Sequence, residues 1–289
     1  MSAIAKQNFY FAAGLGLMAL AWAKHRLSGY TTPSSIDTAD PAASAAYVRD
    51  VVDDWLRYLP TDVSLRDRDV LELCPGASLG TGALLLALGA RSYHAIDKFR
   101  LVTDAPDMAA HVLKDLDARF APADVAHAAT IIAEGGLTYR ADLDFDIRAL
   151  AGMRQFDLMV SYVALEHFEA LDHAVAQMTA LARPGCVAVH MIDFRTHTRW
   201  IRERDPNNIY RYPAALYRLF GFSGQHNRLR PADYIRAFEA AGWRDVRVVP
   251  ADLVPEPLRP HSLAGLRRPF RSPESRMDML AGVLLATRP

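Results

Sequence analysis

Short apolar runs alternate with longer amphipathic segments along most of the chain. The short runs predict strands, and apolar residues spaced three or four positions apart predict helices. Predicted strands cover residues 70–73, 93–96, 137–139, 156–161, 187–192, 243–249 and 282–286, and predicted helices cover 40–59, 81–88, parts of 104–134, 170–182 and 231–241. This alternation indicates an α/β fold with a doubly wound, mostly parallel, seven-stranded sheet and helices on both faces.

The alternation stops after Asp193. Residues 195–231 contain eight arginines against Glu203 and Asp205, with interleaved Trp and Tyr. We interpret this stretch as an insert that lies over the strand ends and the active site, where arginine can bind phosphate or carboxylate. A solvated helix and loop is the alternative. Residues 250–275, rich in Pro and Arg, predict a long loop.

Residues 9–23 form an uncharged and almost wholly apolar run. As a helix it is about 22 Å long, short of the hydrocarbon layer of about 30 Å. Membrane attachment, a signal peptide ending near Ala21-Trp22-Ala23, and a helix packed on the domain surface all fit this run. Because Lys24, His25 and Arg26 follow it, attachment would leave the remainder of the chain in the cytosol. We therefore divide the chain into an N-terminal segment and linker, residues 1–36, and one domain, residues 37–289.

Composition excludes some partners and sites. Lys+Arg and Asp+Glu are equal at 33 each, so there is no overall positive field for nucleic acid, and none is expected as a partner. Cys74 and Cys186 are far apart in the sequence and indicate neither a disulfide framework nor a zinc site. The ten histidines lack the usual metal-binding spacings, so no metal is expected.

The ends of the first two predicted strands carry a candidate nucleotide site. Glu72 lies in the first strand, and Gly76, Gly80 and Gly82 follow it, a spacing that fits neither a dinucleotide fingerprint nor a P-loop. An NAD(P)-dependent oxidoreductase is therefore the weaker reading. Asp97 ends the second strand, where an acid can accept hydrogen bonds from both ribose hydroxyls. Glu72 would favour a ligand that carries an ammonium or sulfonium group.

With these features, residues 70–193 resemble the class I S-adenosylmethionine-dependent methyltransferases, which have a Rossmann-like sheet. The motif stands here as Glu72-Leu73-Cys74-Pro75-Gly76-Ala77-Ser78, with Cys74 and Ser78 in place of two glycines. The resemblance implies S-adenosyl-L-methionine as the cofactor. It implies cofactor contacts from Glu72, Gly76, Ser78, Asp97, Asp142 (on the adenine side) and Ser161.

Methyl transfer mainly requires that an acceptor be aligned with the activated methyl group, and a nearby base helps an oxygen or nitrogen acceptor to lose its proton. The candidates are His167, Asp193 and His197, which follow the fourth and fifth predicted strands. His226 in the insert is a further candidate, whereas His190 inside a strand is expected in the core.

The prediction is a cytosolic methyltransferase, with membrane attachment through residues 9–23 as an open alternative, that acts on O or N of a small acceptor. Segments 227–234 and 30–33 resemble parts of methyltransferases of bacterial glycan and natural-product pathways. They favour a sugar, a sugar nucleotide or a natural product, anionic if the arginines bind it. A non-catalytic, membrane-associated methyltransferase-like module is the other alternative.

Overall fold

Seven strands form one sheet in this computed structural model, which describes residues 3–29, 40–102, 105–114 and 116–289. The strands are β1 (Asp69–Leu73), β2 (Ser92–Asp97), β3 (Leu137–Ala141), β4 (Phe156–Tyr162), β5 (Ala182–Asp193), β6 (Arg244–Leu253) and β7 (Met279–Thr287). Their order across the sheet is β3-β2-β1-β4-β5-β7-β6. The predicted α/β class and strand number are confirmed.

The sheet is mixed. The pairs β1–β2, β1–β4, β2–β3 and β4–β5 are parallel, and β7 runs antiparallel to both of its neighbours, β5 and β6. The chain moves outwards from β1 through β2 to β3, and then returns to start again at β4. The strand order therefore reverses between β1 and β4, and open α/β sheets bind ligands at the carboxyl ends of strands at such a point.

The helices are α1 (Ala3–Ser28), α2 (Pro41–Tyr58), α3 (Gly80–Ala87), α4 (Ala105–Val112), α5 (Pro122–Ala133), α6 (Ile147–Leu150), α7 (Leu171–Leu181), α8 (Arg199–Arg202), α9 (Ala214–Leu219), α10 (Pro231–Ala240) and α11 (Arg259–Ser262). Helices α2 to α5 cover one face of the sheet and α6, α7 and α10 cover the other. Each face buries its own apolar cluster, as strands buried on both sides require.

Helix α2 matches the helix predicted over residues 40–59. The Asp40 carboxylate accepts hydrogen bonds from the amides of Ala42 and Ala43 at 3.0 and 3.2 Å, which satisfies two of the helix's free N–H groups. Val48 and Trp55 are buried on the face that packs on the sheet. Asp40 thus fixes where the helix begins.

A third apolar cluster joins α1 to the insert. Met18 of α1 packs with Tyr210, Tyr212 and Tyr217, and with Leu266 from the segment between β6 and β7. The run over residues 9–23 is therefore a helix packed on the domain surface, one of the three predicted alternatives. No helix in the described part of the chain is long and apolar enough to cross a membrane.

One predicted element changes, and one predicted boundary is not tested. The loop predicted over residues 250–275 is wrong, because β6 continues to Leu253 and the remainder contains short helical turns and α11. The prolines were interpreted as a sign of a loop, but proline also suits the first position of a helix. Here they stand at the starts of these short helical turns. The domain boundary predicted at residue 36 and the segment 30–33 lie outside the described residues.

Candidate functional site

A cavity of about 360 Å³ opens at the point where the strand order reverses. Its walls include Cys74 and Gly76 after β1, Asp97 at the end of β2 and Tyr162 at the end of β4. Neighbouring parallel strands bring these residues together because their carboxyl ends share one edge of the sheet. The cavity is within the size range of small-molecule sites, and we call it the first cavity.

Asp97 is the buried acidic residue in this wall. Its side chain is buried, and its Oδ1 accepts a hydrogen bond from the Phe99 amide at 3.1 Å. Its Oδ2 is buried and has no hydrogen-bond partner among the described residues. Burial raises the pKa of Asp97 to about 6, and hydrogen bonds from the amides of Phe99 and Lys98 limit that rise. Oδ2 can therefore accept a hydrogen bond from a hydroxyl group of a ligand.

The turn after β1 has a backbone that few side chains tolerate. Cys74 and Gly76 both have positive φ angles, of 56° and 77°, and Cys74 occupies a position where glycine avoids a steric cost. Nothing lies within 4 Å of the place where a Gly76 Cβ would stand. The backbone at Gly76 is therefore open to the first cavity, and a ligand can approach it closely.

Glu72 and Ser78 do not line the first cavity, nor the second cavity described below. The buried Glu72 carboxylate accepts hydrogen bonds from the hydroxyls of Thr81 and Tyr93, each at 2.6 Å. Burial raises its pKa to about 7. The Ser78 hydroxyl accepts from the Gly80 amide at 3.0 Å at the start of α3. Both side chains form hydrogen bonds within the protein next to the turn. Their predicted contact with the cofactor stays a prediction.

Aromatic rings form the apolar walls of the first cavity. Phe99, Phe145 and Phe168 line it, and the rings of Phe145 and Phe168 meet edge to face with centroids 5.3 Å apart. Asp144 lines this wall, whereas the exposed Asp142 does not and accepts a hydrogen bond from the Asp144 amide at 2.9 Å. The predicted contact between Asp142 and the cofactor stays a prediction. Asp144 and the three aromatic residues were not predicted, because they carry no motif of their own.

A second cavity, of about 830 Å³, adjoins the first. Tyr47, Val163 and His167 line both cavities. Helix α1 closes one side of the second cavity through Gly14, Leu17, Met18 and Ala21, and the insert closes another. The insert thus lies over the strand ends, and His167 stands at the junction of the two cavities.

The junction has strained backbone. Val163 follows β4 with a φ angle of 55°, a left-handed conformation that is costly for a β-branched residue. Its amide donates to the Met191 carbonyl at 2.9 Å. After it, Leu165–His167 forms one 3-10 turn, which the Asn227 side chain holds by donating to the carbonyls of Leu165 and Phe168. This turn directs Glu166 and His167 towards the insert.

Glu166, His167 and His197 form a compact group, with one nitrogen or carboxylate oxygen from each lying within 4.8 Å of the others. Glu166 Oε1 is 3.9 Å from His197 Nε2. Asp193 Oδ2 is 3.8 Å from the same nitrogen and 2.6 Å from the Arg202 guanidinium. The three predicted catalytic residues, His167, Asp193 and His197, are thus brought together, and Glu166 joins them.

Burial determines the charge of this group. It raises the pKa of Glu166 well above its usual range, and the negative charge of Asp193 adds to that rise. It lowers the pKa of His167, and it lowers the pKa of His197 to about 3. Both imidazoles are therefore neutral near pH 7, and each has one nitrogen that can accept a proton or bind a cation.

Hydrogen bonds determine which ring nitrogen of His167 and of His226 carries the proton. His167 Nδ1 is 2.5 Å from the Gly224 carbonyl, which can only accept, so Nδ1 carries the proton and Nε2 has the lone pair. His226 uses both nitrogens, because Nε2 donates to the Asp193 carbonyl at 3.0 Å and Nδ1 accepts from the Arg228 amide at 2.8 Å. His226 is therefore structural.

Ser161 and His190 lie in the core. Both side chains are fully buried, and Ser161 Oγ is 2.8 Å from His190 Nδ1. His190 is in the core as predicted, and Ser161 lines neither of the two cavities. The predicted contact between Ser161 and the cofactor stays a prediction.

The arginines of the insert mostly hold the insert together. The buried Arg211 guanidinium pairs with Asp205 and donates to backbone carbonyls between β6 and β7. The buried Arg230 donates to three carbonyls before and within β7. Among the described side chains of the insert, Arg202 is the one arginine that lines the second cavity. The positive charge of the insert is thus largely used inside the protein.

Comparison with solved structures finds methyltransferases. The chain is similar to S-adenosylmethionine-dependent methyltransferases from Mesorhizobium loti (16% identity, TM-score 0.44, 86% of this chain and 100% of that one) and Archaeoglobus fulgidus (14%, 0.46, 86% and 95%). It is also similar to a phosphoethanolamine N-methyltransferase from Haemonchus contortus in complex with S-adenosyl-L-methionine (11%, 0.46, 88% and 58%). No protein-family model and no curated protein matches the sequence. Similarity at this level does not transfer a substrate or a reaction.

Proposed function

We propose that the protein is an S-adenosylmethionine-dependent methyltransferase whose donor binds in the first cavity and whose acceptor binds in the second. The observation that carries this proposal is the unpartnered Oδ2 of Asp97, buried at the end of β2 beside the open backbone of Gly76. A carboxylate at this point suits a ribose. A pyrophosphate is disfavoured there, because the Asp97 carboxylate would repel it.

The first cavity has the three surfaces that this donor requires. Asp97 accepts the ribose hydroxyls, and the rings of Phe99, Phe145 and Phe168 provide apolar contact for the adenine. The turn at Gly76 leaves space for the amino-acid tail. The sulfonium methyl would then point to the junction, where His167 lines both cavities.

The acceptor in this proposal is a small molecule methylated on oxygen or nitrogen. His167 Nε2 carries a lone pair at the junction, so it can accept a hydrogen bond from an acceptor hydroxyl or amine. Thr196, Thr198 and Gln225 line the second cavity as well, and these polar groups suit a sugar or another hydroxyl-rich molecule. Arg202 is the group that would meet an anionic substituent.

Titration calorimetry with S-adenosylhomocysteine tests the donor site. We expect the wild-type protein to bind it and Asp97→Asn to weaken binding at least tenfold. The side-chain N–H group of asparagine cannot accept the hydrogen bond that Asp97 Oδ2 accepts from a ribose hydroxyl. A charge-assisted hydrogen bond contributes about 1.5–3 kcal/mol, and 1.4 kcal/mol corresponds to tenfold. Transfer of a labelled methyl group into a host-cell extract then identifies the acceptor.

Asp62→Asn is the matched control, because Asp62 is exposed and precedes β1 at the opposite edge of the sheet. It should bind S-adenosylhomocysteine like the wild type. Tighter binding of NADH than of S-adenosylhomocysteine, or equal binding by wild type and Asp97→Asn, would refute the proposal. Binding without any labelled product would indicate a non-catalytic module.

A further inference from the structure

We propose that Glu166, His167 and His197 bind a divalent transition-metal ion at the junction of the two cavities. Two imidazoles and one carboxylate form a set that first-row metals such as zinc, manganese and iron favour, with positions left open for a substrate. The sequence gives no metal motif because His197 follows Glu166 and His167 by about thirty positions. Only the parallel pairing of β4 and β5 brings the two strand ends together.

The geometry is close to that of a bound ion. The three ligand atoms lie within 4.8 Å of one another, and ligands at about 2.1 Å from a tetrahedral ion lie about 3.4 Å apart. Side-chain shifts of about 1 Å close that difference. A second carboxylate lies close to the group, because Asp193 Oδ2 is 3.8 Å from His197 Nε2.

The hydrogen bonds of the group leave three polar atoms that a cation could bind, both carboxyl oxygens of Glu166 and Nε2 of His197. Glu166 is fully buried, and neither of its carboxylate oxygens has a hydrogen-bond partner among the described residues. The same holds for His197 Nε2. A buried carboxylate without a donor is costly, and a divalent ion would satisfy both groups at once.

The surroundings of His167 support the same assignment. Imidazoles that ligate metals usually donate their other ring N–H to a carbonyl or carboxylate, which fixes the ring and its tautomer. His167 Nδ1 makes this bond to the Gly224 carbonyl. The guanidinium groups of Arg202 and Arg195 are both paired with Asp193, at 2.6 and 2.8 Å, so their positive charge is partly neutralised.

The role of the ion, unlike its binding, rests on the proposed methyl transfer. An acceptor hydroxyl bound to the ion would lose its proton more readily, because the cation lowers its pKa. The proton goes to water, the new O–C bond forms as the C–S bond breaks, and S-adenosylhomocysteine leaves as a neutral thioether. With the ion bound, the Nε2 lone pair of His167 would bind the ion and would no longer accept a hydrogen bond from the acceptor. The acceptor hydroxyl would bind the ion instead, beside the methyl group.

Cobalt(II) and zinc(II) are suitable probes for the full-length protein after treatment with a chelator. We expect one equivalent of Co²⁺ to bind with visible d–d absorption, and Zn²⁺ to displace it. Glu166→Gln and His197→Ala should each weaken binding of both ions at least tenfold. Burial raises the pKa of Glu166 well above its usual range, so the ion-free side chain is already neutral. Glutamine is neutral too and has nearly the same volume, so the Glu166→Gln variant is expected to fold.

Two exposed residues of α5 and its end supply the controls, His127→Ala and Glu134→Gln, which should bind Co²⁺ like the wild type. Circular dichroism checks that every variant is folded, and calorimetry with S-adenosylhomocysteine reports the donor site separately. Folded wild-type protein that binds no Co²⁺ or Zn²⁺, or Glu166→Gln and His197→Ala variants that bind both as tightly as wild type, would overturn the metal site. Loss of donor binding alone would instead contradict the proposed function.

Discussion

Two buried carboxylates at neighbouring strands, Glu72 and Asp97, have very different surroundings. Glu72 already accepts two hydroxyl hydrogen bonds, from Thr81 and Tyr93, whereas Asp97 Oδ2 accepts none among the described residues. The sequence predicts both as cofactor ligands, because each lies at a strand end after a short apolar run. It cannot show that Tyr93, on the next strand, uses the hydrogen-bonding capacity of Glu72.

We expect Glu72→Gln to stabilise the protein at pH 8. Burial raises the folded-state pKa of Glu72 from 4.5 to about 7, so the folded state keeps its proton where the unfolded state has lost it. Stability is therefore lost as pH rises from about 4.5 through 7, by up to about 3 kcal/mol. Glutamine carries no charge and can still accept both hydroxyls.

Urea unfolding of the wild type and of Glu72→Gln at pH 8 and pH 5 measures this gain in stability. The gain should shrink to below about 1 kcal/mol at pH 5, because the wild-type carboxyl is then protonated in the folded state. Glu134→Gln, at an exposed position, should match the wild type at both pH values. A loss of stability in Glu72→Gln at pH 8 would show that the ionised carboxylate is favourable in the fold.

At the scale of elements, α1 shows why the sequence alone left several alternatives open. An apolar run has the same composition whether it meets lipid or protein. Its partners here are Asn208 and Tyr212, about two hundred positions away, which donate to the carbonyls of Tyr10 and Phe11. By contrast, α2 was predicted well because its cap, Asp40, is adjacent in the sequence.

Gly14 of α1 faces Asn208 and Tyr212 of the insert. A Cβ there would stand 2.1 Å from Asn208 Oδ1 and 2.4 Å from the Tyr212 hydroxyl. Gly14→Ala is therefore expected to push α1 away and to lower the free energy of unfolding by about 1–3 kcal/mol.

Gly16 in the same helix is the matched control, because nothing lies within 4 Å of its Cβ position. Alanine has the higher helix propensity, so Gly16→Ala should raise stability by about 0.5–1 kcal/mol. Urea unfolding compares the two variants. Equal stability of Gly14→Ala and Gly16→Ala would mean that α1 does not pack against the insert as described.

The whole molecule combines locally encoded elements with a site that depends on their assembly. The alternation of apolar runs predicted the seven strands, and Asp97 could be found from its distance to the first strand. His167 and His197 could also be found, because they follow the fourth and fifth predicted strands. Their contact with each other and with Glu166 could not be predicted, since it needs β4 beside β5 and the fold of the insert. Sequence composition does not distinguish an arginine that binds a ligand from one that binds a carbonyl.

Assembly also buries imidazoles, and this determines how the whole fold responds to acid. Burial lowers the pKa of His94 to about 4 and that of His190 to about 3, and it lowers those of His167, His197 and His226 as well. The unfolded chain binds these protons near pH 6.5 and the folded chain does not. Each such group therefore removes stability as pH falls below about 6.5, against the opposite effect of Glu72 and Asp97.

His190 isolates one member of this set, because burial is the sole cause of its lowered pKa. His190→Asn keeps a group that can bond to Ser161 but removes the titration. Between pH 7 and pH 4.5 the wild type should lose about 2–3 kcal/mol more stability than the variant. Urea unfolding at the two pH values measures this, with the exposed His127→Asn as a control that should follow the wild type. If the wild-type and His190→Asn curves fall in parallel, His190 is protonated in the folded protein and its place in a dry core is wrong.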